Sequence, residues 1–68
     1  GKAAIRDIER LLKKLDFQTG PVDGKIDPKT RAAIGQFQSA AGLPVTYKAD
    51  AALLRELRAV AGEGGDGS

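Results

Sequence analysis

Six residues of this chain have side chains that suit the binding of a polar ligand: Asp23, Lys25, Lys29, Arg31, Gln38 and Tyr47. The three cations lie close together in sequence and can pair with a carboxylate, which an arginine can bind through two parallel hydrogen bonds. The tyrosine offers an aromatic face on which a ring can stack while its hydroxyl stays hydrated. The aspartate and the glutamine can exchange hydrogen bonds with hydroxyl or amide groups.

Each of these side chains also has a structural interpretation that the sequence leaves open. The three cations can be solvated surface charges. Asp23 begins an Asp-Gly pair, which is typical of a tight turn. The amide of Gln38 can hold a loop in place, and the ring of Tyr47 can cover the edge of the core.

The composition argues against catalysis. The chain has no cysteine and no histidine, which removes any disulfide or thiolate metal site, the commonest general base and the commonest metal ligand. One carboxylate pair, Asp23 with Asp27, could act in principle, but both residues have ready structural roles and no apolar pocket is evident to raise a pKa. We therefore expect no enzyme activity, no cofactor and no metal site.

Charge and hydropathy narrow the possible partners further. Lysine and arginine number 11 and aspartate and glutamate 9, a net charge of +2 that is too small to favour nucleic acid. The expected connection between the second and third helices is about seven residues, whereas a helix-turn-helix needs a turn of about 3–4. No apolar run approaches the ~18 residues of a membrane span. We expect neither a nucleic-acid partner nor a membrane span.

Three amphipathic helices must position the candidate residues. The first, residues 3–15, places an apolar stripe on one face: Ile5, Ile8, Leu11, Leu12 and Leu15. Its other face carries charges that we expect to be solvated: Arg6, Asp7, Glu9, Arg10, Lys13 and Lys14. The cations of this face form a basic stripe that could instead meet an anionic polymer or an acidic partner.

The second helix is predicted to open at Asp27-Pro28, a good N-cap followed by a residue suited to the first turn, and to end at Gly42. Its buried stripe is Ala33, Ile34, Phe37 and Ala41. Gly35 in its middle costs about 1 kcal/mol relative to alanine and has no evident reason in the sequence. The loop before this helix should be anchored by Phe17, Val22 and Ile26.

The third helix, residues 50–61, is predicted to be capped by Asp50 and stopped by Gly62. An internal sequence repeat relates the two loops. Residues 21–27 and 44–50 share Pro, Val, Lys and Asp at an offset of 23, and a helix follows each of them. The three stripes must converge on one core. We expect an all-α domain of residues 1–61 followed by a flexible Gly-rich tail or linker, residues 62–68.

The motifs match a known pattern over residues 5–57. They are Gly20-Pro21-Val22-Asp23-Gly24, then Thr30-Arg31-Ala32-Ala33-Ile34 with Phe37-Gln38, at these spacings. On these residues the chain resembles the peptidoglycan-binding domain. The resemblance implies a compact three-helix orthogonal bundle with an internal pseudo-repeat. It also implies a non-catalytic, monomeric module that anchors a larger cell-envelope protein to peptidoglycan, in the periplasm or cell wall.

By this resemblance, the partners would be peptidoglycan, through its glycan or its stem peptide, and a parent enzyme or scaffold in the same polypeptide. The chain has no methionine, even at position 1, so we interpret it as part of such a protein. The six candidate residues would then contact the sugar rings, stem peptides and carboxylates that peptidoglycan offers.

Four departures from the family pattern bear on this hypothesis. The family usually has glutamine at Glu9 and glycine at Asp16 and Asp27; we expect these changes to be tolerated, Glu9 because it faces solvent. Thr46-Tyr47 replaces a frequent Asp-Gly in the second loop, which alters a surface suited to ligand. The same change favours an alternative, in which this fold serves as a protein–protein docking module.

Overall fold

The computed structural model describes residues 1–63, so the predicted tail lies outside the described residues from position 64 onward. Three helices follow one another: α1 (Lys2–Lys14), α2 (Pro28–Ala40) and α3 (Ala51–Ala61). Two long loops, residues 15–27 and 41–50, connect them. The architecture confirms the predicted all-α three-helix fold, with helix starts displaced by no more than one residue.

Aspartate caps begin both α2 and α3, as the sequence predicted. The carboxylate of Asp27 accepts the backbone N–H of Thr30 at 2.8 Å, and that of Asp50 accepts the N–H of Leu53 at 2.9 Å. Each bond satisfies one of the free donors of a first helical turn. The bond from Thr30 also lowers the pKa of Asp27.

All three helices close with the same hydrogen-bond pattern around a residue of positive φ. That residue is Asp16 after α1, Gly42 after α2 and Gly62 after α3, with φ of 69°, 73° and 80°. The next N–H in each case donates to the carbonyl five residues earlier, as from Leu43 to Gln38 at 2.8 Å. Asp16 adopts this conformation despite its Cβ, so the end of α1 is strained where the other two are not.

The core is built from the apolar stripes of all three helices: Ile8, Leu11, Leu12, Ala33, Ile34, Phe37, Leu53 and Leu57. Phe17 closes its edge, with its ring perpendicular to that of Phe37 at a centroid distance of 6.0 Å. Two predicted core positions are wrong. Ala41 is exposed because α2 has already ended, and Val22 is 41% exposed because polar bonds, not an apolar anchor, hold the first loop.

Those polar bonds come from Glu9, whose predicted solvent exposure is also wrong. Glu9 is fully buried. Its Oε1 accepts the backbone N–H groups of Asp23 and Gly24 at 3.2 and 3.0 Å, and its Oε2 accepts the hydroxyl of Thr30 at 3.1 Å. A buried loop amide needs an acceptor, and the carboxyl supplies it from the helix face that the charge pattern assigned to solvent.

Among residues 1–63, no helix combines the length and the apolar character that crossing a bilayer requires.

Candidate ligand-binding site

The second loop repeats the arrangement of the first around a different buried acceptor. Oε1 of Gln38 accepts the N–H groups of Thr46 and Tyr47 at 3.0 and 3.1 Å, and Nε2 donates to Oγ1 of Thr46 at 3.0 Å. At the offset of 23, Thr46 and Tyr47 correspond to Asp23 and Gly24. The predicted internal sequence repeat is therefore also a structural repeat, in which one buried side chain accepts hydrogen bonds from two consecutive loop amides.

Tyr47 consequently occupies the place of a glycine. Its φ is 60° and that of Gly24 is 77°. A bulky side chain at positive φ costs on the order of 1–2 kcal/mol, so the two bonds from Gln38 hold a strained residue. This conformation aims the tyrosine ring back across the outer face of α2.

The ring lies against Gly35. A Cβ at Gly35 would stand 2.8 Å from Cδ1 of Tyr47 and closer still to Cε1, so only glycine admits the ring at this place. This contact explains the mid-helix glycine that the sequence left without a reason. Tyr47 nevertheless remains 48% exposed, so the helix positions the ring without covering it.

Two shallow hollows meet at Tyr47, and together we name them the Tyr47 groove. The first is lined by Pro28, Arg31, Ala32 and Tyr47. The second, of about 400 Å³, is lined by Ala32, Gly35, Gln36, Ser39, Val45 and Tyr47. The α2 residues of the groove follow helical spacing along one exposed face, so a single rigid element carries most of the surface.

The groove has a distinctive charge distribution. Arg31 is exposed and makes no salt bridge within residues 1–63, and none of the lining residues is a carboxylate. Gln36 and Ser39 add neutral donors and acceptors at the other end. The arrangement can therefore stack a ring on the tyrosine, hydrogen-bond its substituents and pair one anion with the guanidinium.

Two further hollows differ in chemistry. One lies beside the first loop and contains two cations and an acid: Lys13, Asp16, Phe17, Gln18, Thr19, Gly20 and Lys29. The other lies between the second loop and α3, has a mostly apolar wall and contains two acids: Gln38, Leu43, Pro44, Thr46, Asp50, Ala52, Leu53 and Glu56. Neither contains an exposed aromatic side chain beside an unpaired arginine.

Comparison with known proteins places this chain in a family. Residues 1–57 match the model of the family described as "Putative peptidoglycan binding domain". The chain belongs to this peptidoglycan-binding domain family. The family resemblance found in the motifs is thereby confirmed, together with the all-α fold that it implied.

One curated relative shows the domain as a small part of a longer protein. The "Putative OxPP cycle protein OpcA" of Synechococcus elongatus is 40% identical over 52 residues. The match covers 76% of this chain but 12% of that protein. No solved structure matches the chain significantly.

The structure brings two of the six predicted site residues together on this peptidoglycan-binding domain. Arg31 and Tyr47 both line the Tyr47 groove. Lys29 lies in the separate hollow beside the first loop. Lys25 is exposed on that loop, and the carboxylate of Asp23 accepts the N–H of Lys25 at 2.9 Å, which is the turn that the Asp-Gly pair indicated.

The direct ligand contact predicted for Gln38 stays a prediction. Gln38 is 5% exposed, and both atoms of its amide are engaged by the second loop. Its role is to position Tyr47. Motif analysis missed Gly35, Gln36, Ser39 and Val45, although the unexplained glycine in α2 was a signal that another element approaches there.

Within residues 1–63, two of the four cations of the basic stripe of α1, Arg10 and Lys14, pair with acids. Arg10 and Lys14 bind the carboxylate of Glu63 at 3.1 and 2.7 Å, and Arg58 of α3 lies 3.5 Å from Asp7. The hydrogen bonds from Arg10 and Lys14 lower the pKa of Glu63 to about 2. These pairs connect the segment after α3 and α3 itself to α1.

Proposed function

We propose that this domain is a non-catalytic module that anchors a larger cell-envelope protein to peptidoglycan through the Tyr47 groove. Membership of the peptidoglycan-binding domain family supports the ligand class. The observation that carries the site is the half-exposed Tyr47 ring, seated on Gly35 beside an arginine without an acidic neighbour. Such a surface suits the sugar rings and free carboxylates of peptidoglycan.

Affinity of a single module is expected to be low. The groove is shallow and open, so the contact area gained barely offsets the entropy lost on association. Anchoring nevertheless works, because a tethered parent protein and a repetitive wall give a high effective concentration of binding sites.

The tethered arrangement is part of this proposal. A segment similar to this chain makes up 12% of the length of the relative from Synechococcus elongatus. We propose that the glycine-rich residues 62–68 connect this module to such a partner domain. The contacts of Glu63 with Arg10 and Lys14 would then fix the point at which the connection leaves the bundle.

The direct test is co-sedimentation of the purified chain with insoluble peptidoglycan sacculi. We expect the wild type to pellet and both Arg31→Ala and Tyr47→Gly to stay in the supernatant. Arg55→Ala, which removes an exposed arginine of α3 away from the groove, is the matched control and should pellet like the wild type. Circular dichroism establishes that all variants are folded. Failure of the wild type to pellet at high sacculus loading would reject wall binding.

A second candidate function is docking to a protein partner. The name of the relative refers to an OxPP cycle rather than to a cell wall, although that protein contains a similar segment. The hollow between the second loop and α3, with Leu43, Pro44 and Leu53 in its wall, offers an apolar surface for such docking. This alternative predicts that Pro44→Ala and Ala52→Glu impair the parent protein while sacculus binding is absent in every variant.

A further inference from the structure

Peptidoglycan contains two chemically different parts, and the Tyr47 groove has two different ends. The glycan is a neutral chain of N-acetylated sugars, whereas the stem peptides carry free carboxylates. Gln36 and Ser39 at one end of the groove are neutral hydrogen-bonding groups, and Arg31 at the other end is a cation. The ring of Tyr47 lies between them, where the two hollows meet.

From this arrangement we propose that the groove recognises a sugar that carries a stem peptide. The sugar ring lies on Tyr47, and a free carboxylate of the stem peptide pairs with Arg31. This inference rests on the proposed binding to peptidoglycan and specifies which part of it is recognised. A neutral N-acetylated glycan without carboxylates is then a poor ligand.

The spacing along α2 supports one ligand across both ends. Arg31 and Ser39 are eight residues apart, which corresponds to roughly 12 Å along a helix axis. One sugar ring together with the first residues of its stem can span that length. Because α2 is a regular helix over Pro28–Ala40, the two ends keep a fixed separation and the groove is pre-organised for such a ligand.

Charge complementarity selects this groove over the other hollows of the described chain. An anionic stem would meet Asp50 and Glu56 in the hollow beside α3 and would therefore be repelled there. The hollow beside the first loop has two lysines but also Asp16, and its aromatic residue Phe17 is half-buried against the core. The Tyr47 groove joins a free arginine to an exposed ring and contains no acid.

The chain provides its own probe for this proposal. It has one tyrosine and no tryptophan, so its intrinsic fluorescence reports on Tyr47 alone. Three soluble probes are titrated in low salt: a disaccharide–tetrapeptide with free stem carboxylates, the same molecule with those carboxylates amidated, and the neutral disaccharide N,N′-diacetylchitobiose. Arg31→Ala is titrated beside the wild type, with Arg55→Ala as the matched control.

We expect the carboxylate-bearing probe to change the Tyr47 fluorescence and to bind at least about tenfold more tightly than either other probe, since an arginine–carboxylate pair is a charge-assisted hydrogen bond. Arg31→Ala should remove this difference, Arg55→Ala should keep it, and added salt should weaken it. Equal binding of all three probes by a chain that still pellets with sacculi would overturn the assignment of the stem carboxylate to Arg31 and leave wall binding intact. Absence of both fluorescence change and sedimentation would reject the proposed function itself.

Discussion

Tyr47 and Gly35 form a matched pair: the ring of the first occupies the space that a Cβ of the second would fill. Each residue type is unfavourable for the backbone conformation at its own position. Glycine weakens the middle of a helix by about 1 kcal/mol, and a tyrosine at positive φ costs a comparable amount. The pair makes physical sense only as a unit, in which two local penalties place an aromatic ring on the outer face of α2.

Substitution of this pair should be strongly non-additive. Gly35→Ala in the wild type should displace the ring and give no gain in the free energy of unfolding, because the contact loss offsets the better helix propensity. In a Tyr47→Gly background the same substitution should stabilise the chain by about 1 kcal/mol. Urea denaturation of the four chains measures this coupling. An equal effect of Gly35→Ala in both backgrounds would show that the ring does not rest on Gly35.

Substitution of Tyr47 should change binding to sacculi much more than it changes the stability of the fold. Tyr47→Gly relieves the positive-φ strain while it removes the ring, so we expect a free energy of unfolding within about 1 kcal/mol of the wild type. Binding to sacculi should be lost. Tyr47→Phe keeps the ring and should retain most binding. Loss of binding in both variants would instead assign recognition to the hydroxyl group.

Glu9 should be replaceable by glutamine but not by alanine. In Glu9→Gln the amide oxygen can accept the N–H groups of Asp23 and Gly24, and the amide nitrogen can donate to Oγ1 of Thr30. The Thr30 hydroxyl then turns to the carbonyl of Thr19, which is 3.3 Å away. We expect Glu9→Gln to be at least as stable as the wild type. Glu9→Ala leaves these buried donors without an acceptor and should lower the free energy of unfolding by more than about 2 kcal/mol.

Chemical denaturation at neutral pH distinguishes these outcomes. Glu56→Ala, an exposed glutamate of α3, serves as the control and should stay within about 0.5 kcal/mol of the wild type. A mild effect of Glu9→Ala would mean that water replaces the carboxyl in the first loop.

The fold was readable from the sequence because its signals are local and consistent. Apolar spacing, the Asp27 and Asp50 caps and the terminal glycines each act within a few residues, and all agree with one core. Glu9 could not be placed in the same way. Its burial follows from the amides of a loop 14 residues away, and such a partner leaves no periodic mark in the helix that carries the side chain.

The candidate site could be predicted from the sequence only in part, for a related reason. Arg31 and Tyr47 were recognisable by side-chain type. Their proximity depends on the second loop folding back over α2, which in turn depends on the bonds that Gln38 makes to the Tyr47 amide and its neighbour. Residue type therefore predicted which side chains could bind a ligand, whereas their proximity in one groove could be seen only in the tertiary structure.

Asp16 offers a simple gain in stability. It closes α1 at φ 69°, where Gly42 closes α2 at 73°. Asp16→Gly should raise the free energy of unfolding by about 1 kcal/mol, because glycine has no Cβ to strain. The reciprocal change Gly42→Asp should lower it by a similar amount, since a Cβ at Gly42 meets nothing within 4 Å and conformational strain is the main effect. Thermal and urea unfolding measure both, and a destabilising Asp16→Gly would show that the carboxylate has a stabilising contact.

Acid should weaken the join between α1 and the end of α3 through Glu63. The pKa of this carboxyl falls from 4.5 to about 2 in the folded chain, because Arg10 and Lys14 donate hydrogen bonds to it. A folded-state pKa below the unfolded value stabilises the chain above about pH 4.5, and this contribution disappears as the pH falls toward 2. Glu63→Gln should therefore be less stable than the wild type at pH 7, and the difference should vanish near pH 2. Added salt should narrow the gap at pH 7, because the three side chains are partly exposed. A gap that stays constant from pH 7 to pH 2 would mean that Glu63 does not act through its charge.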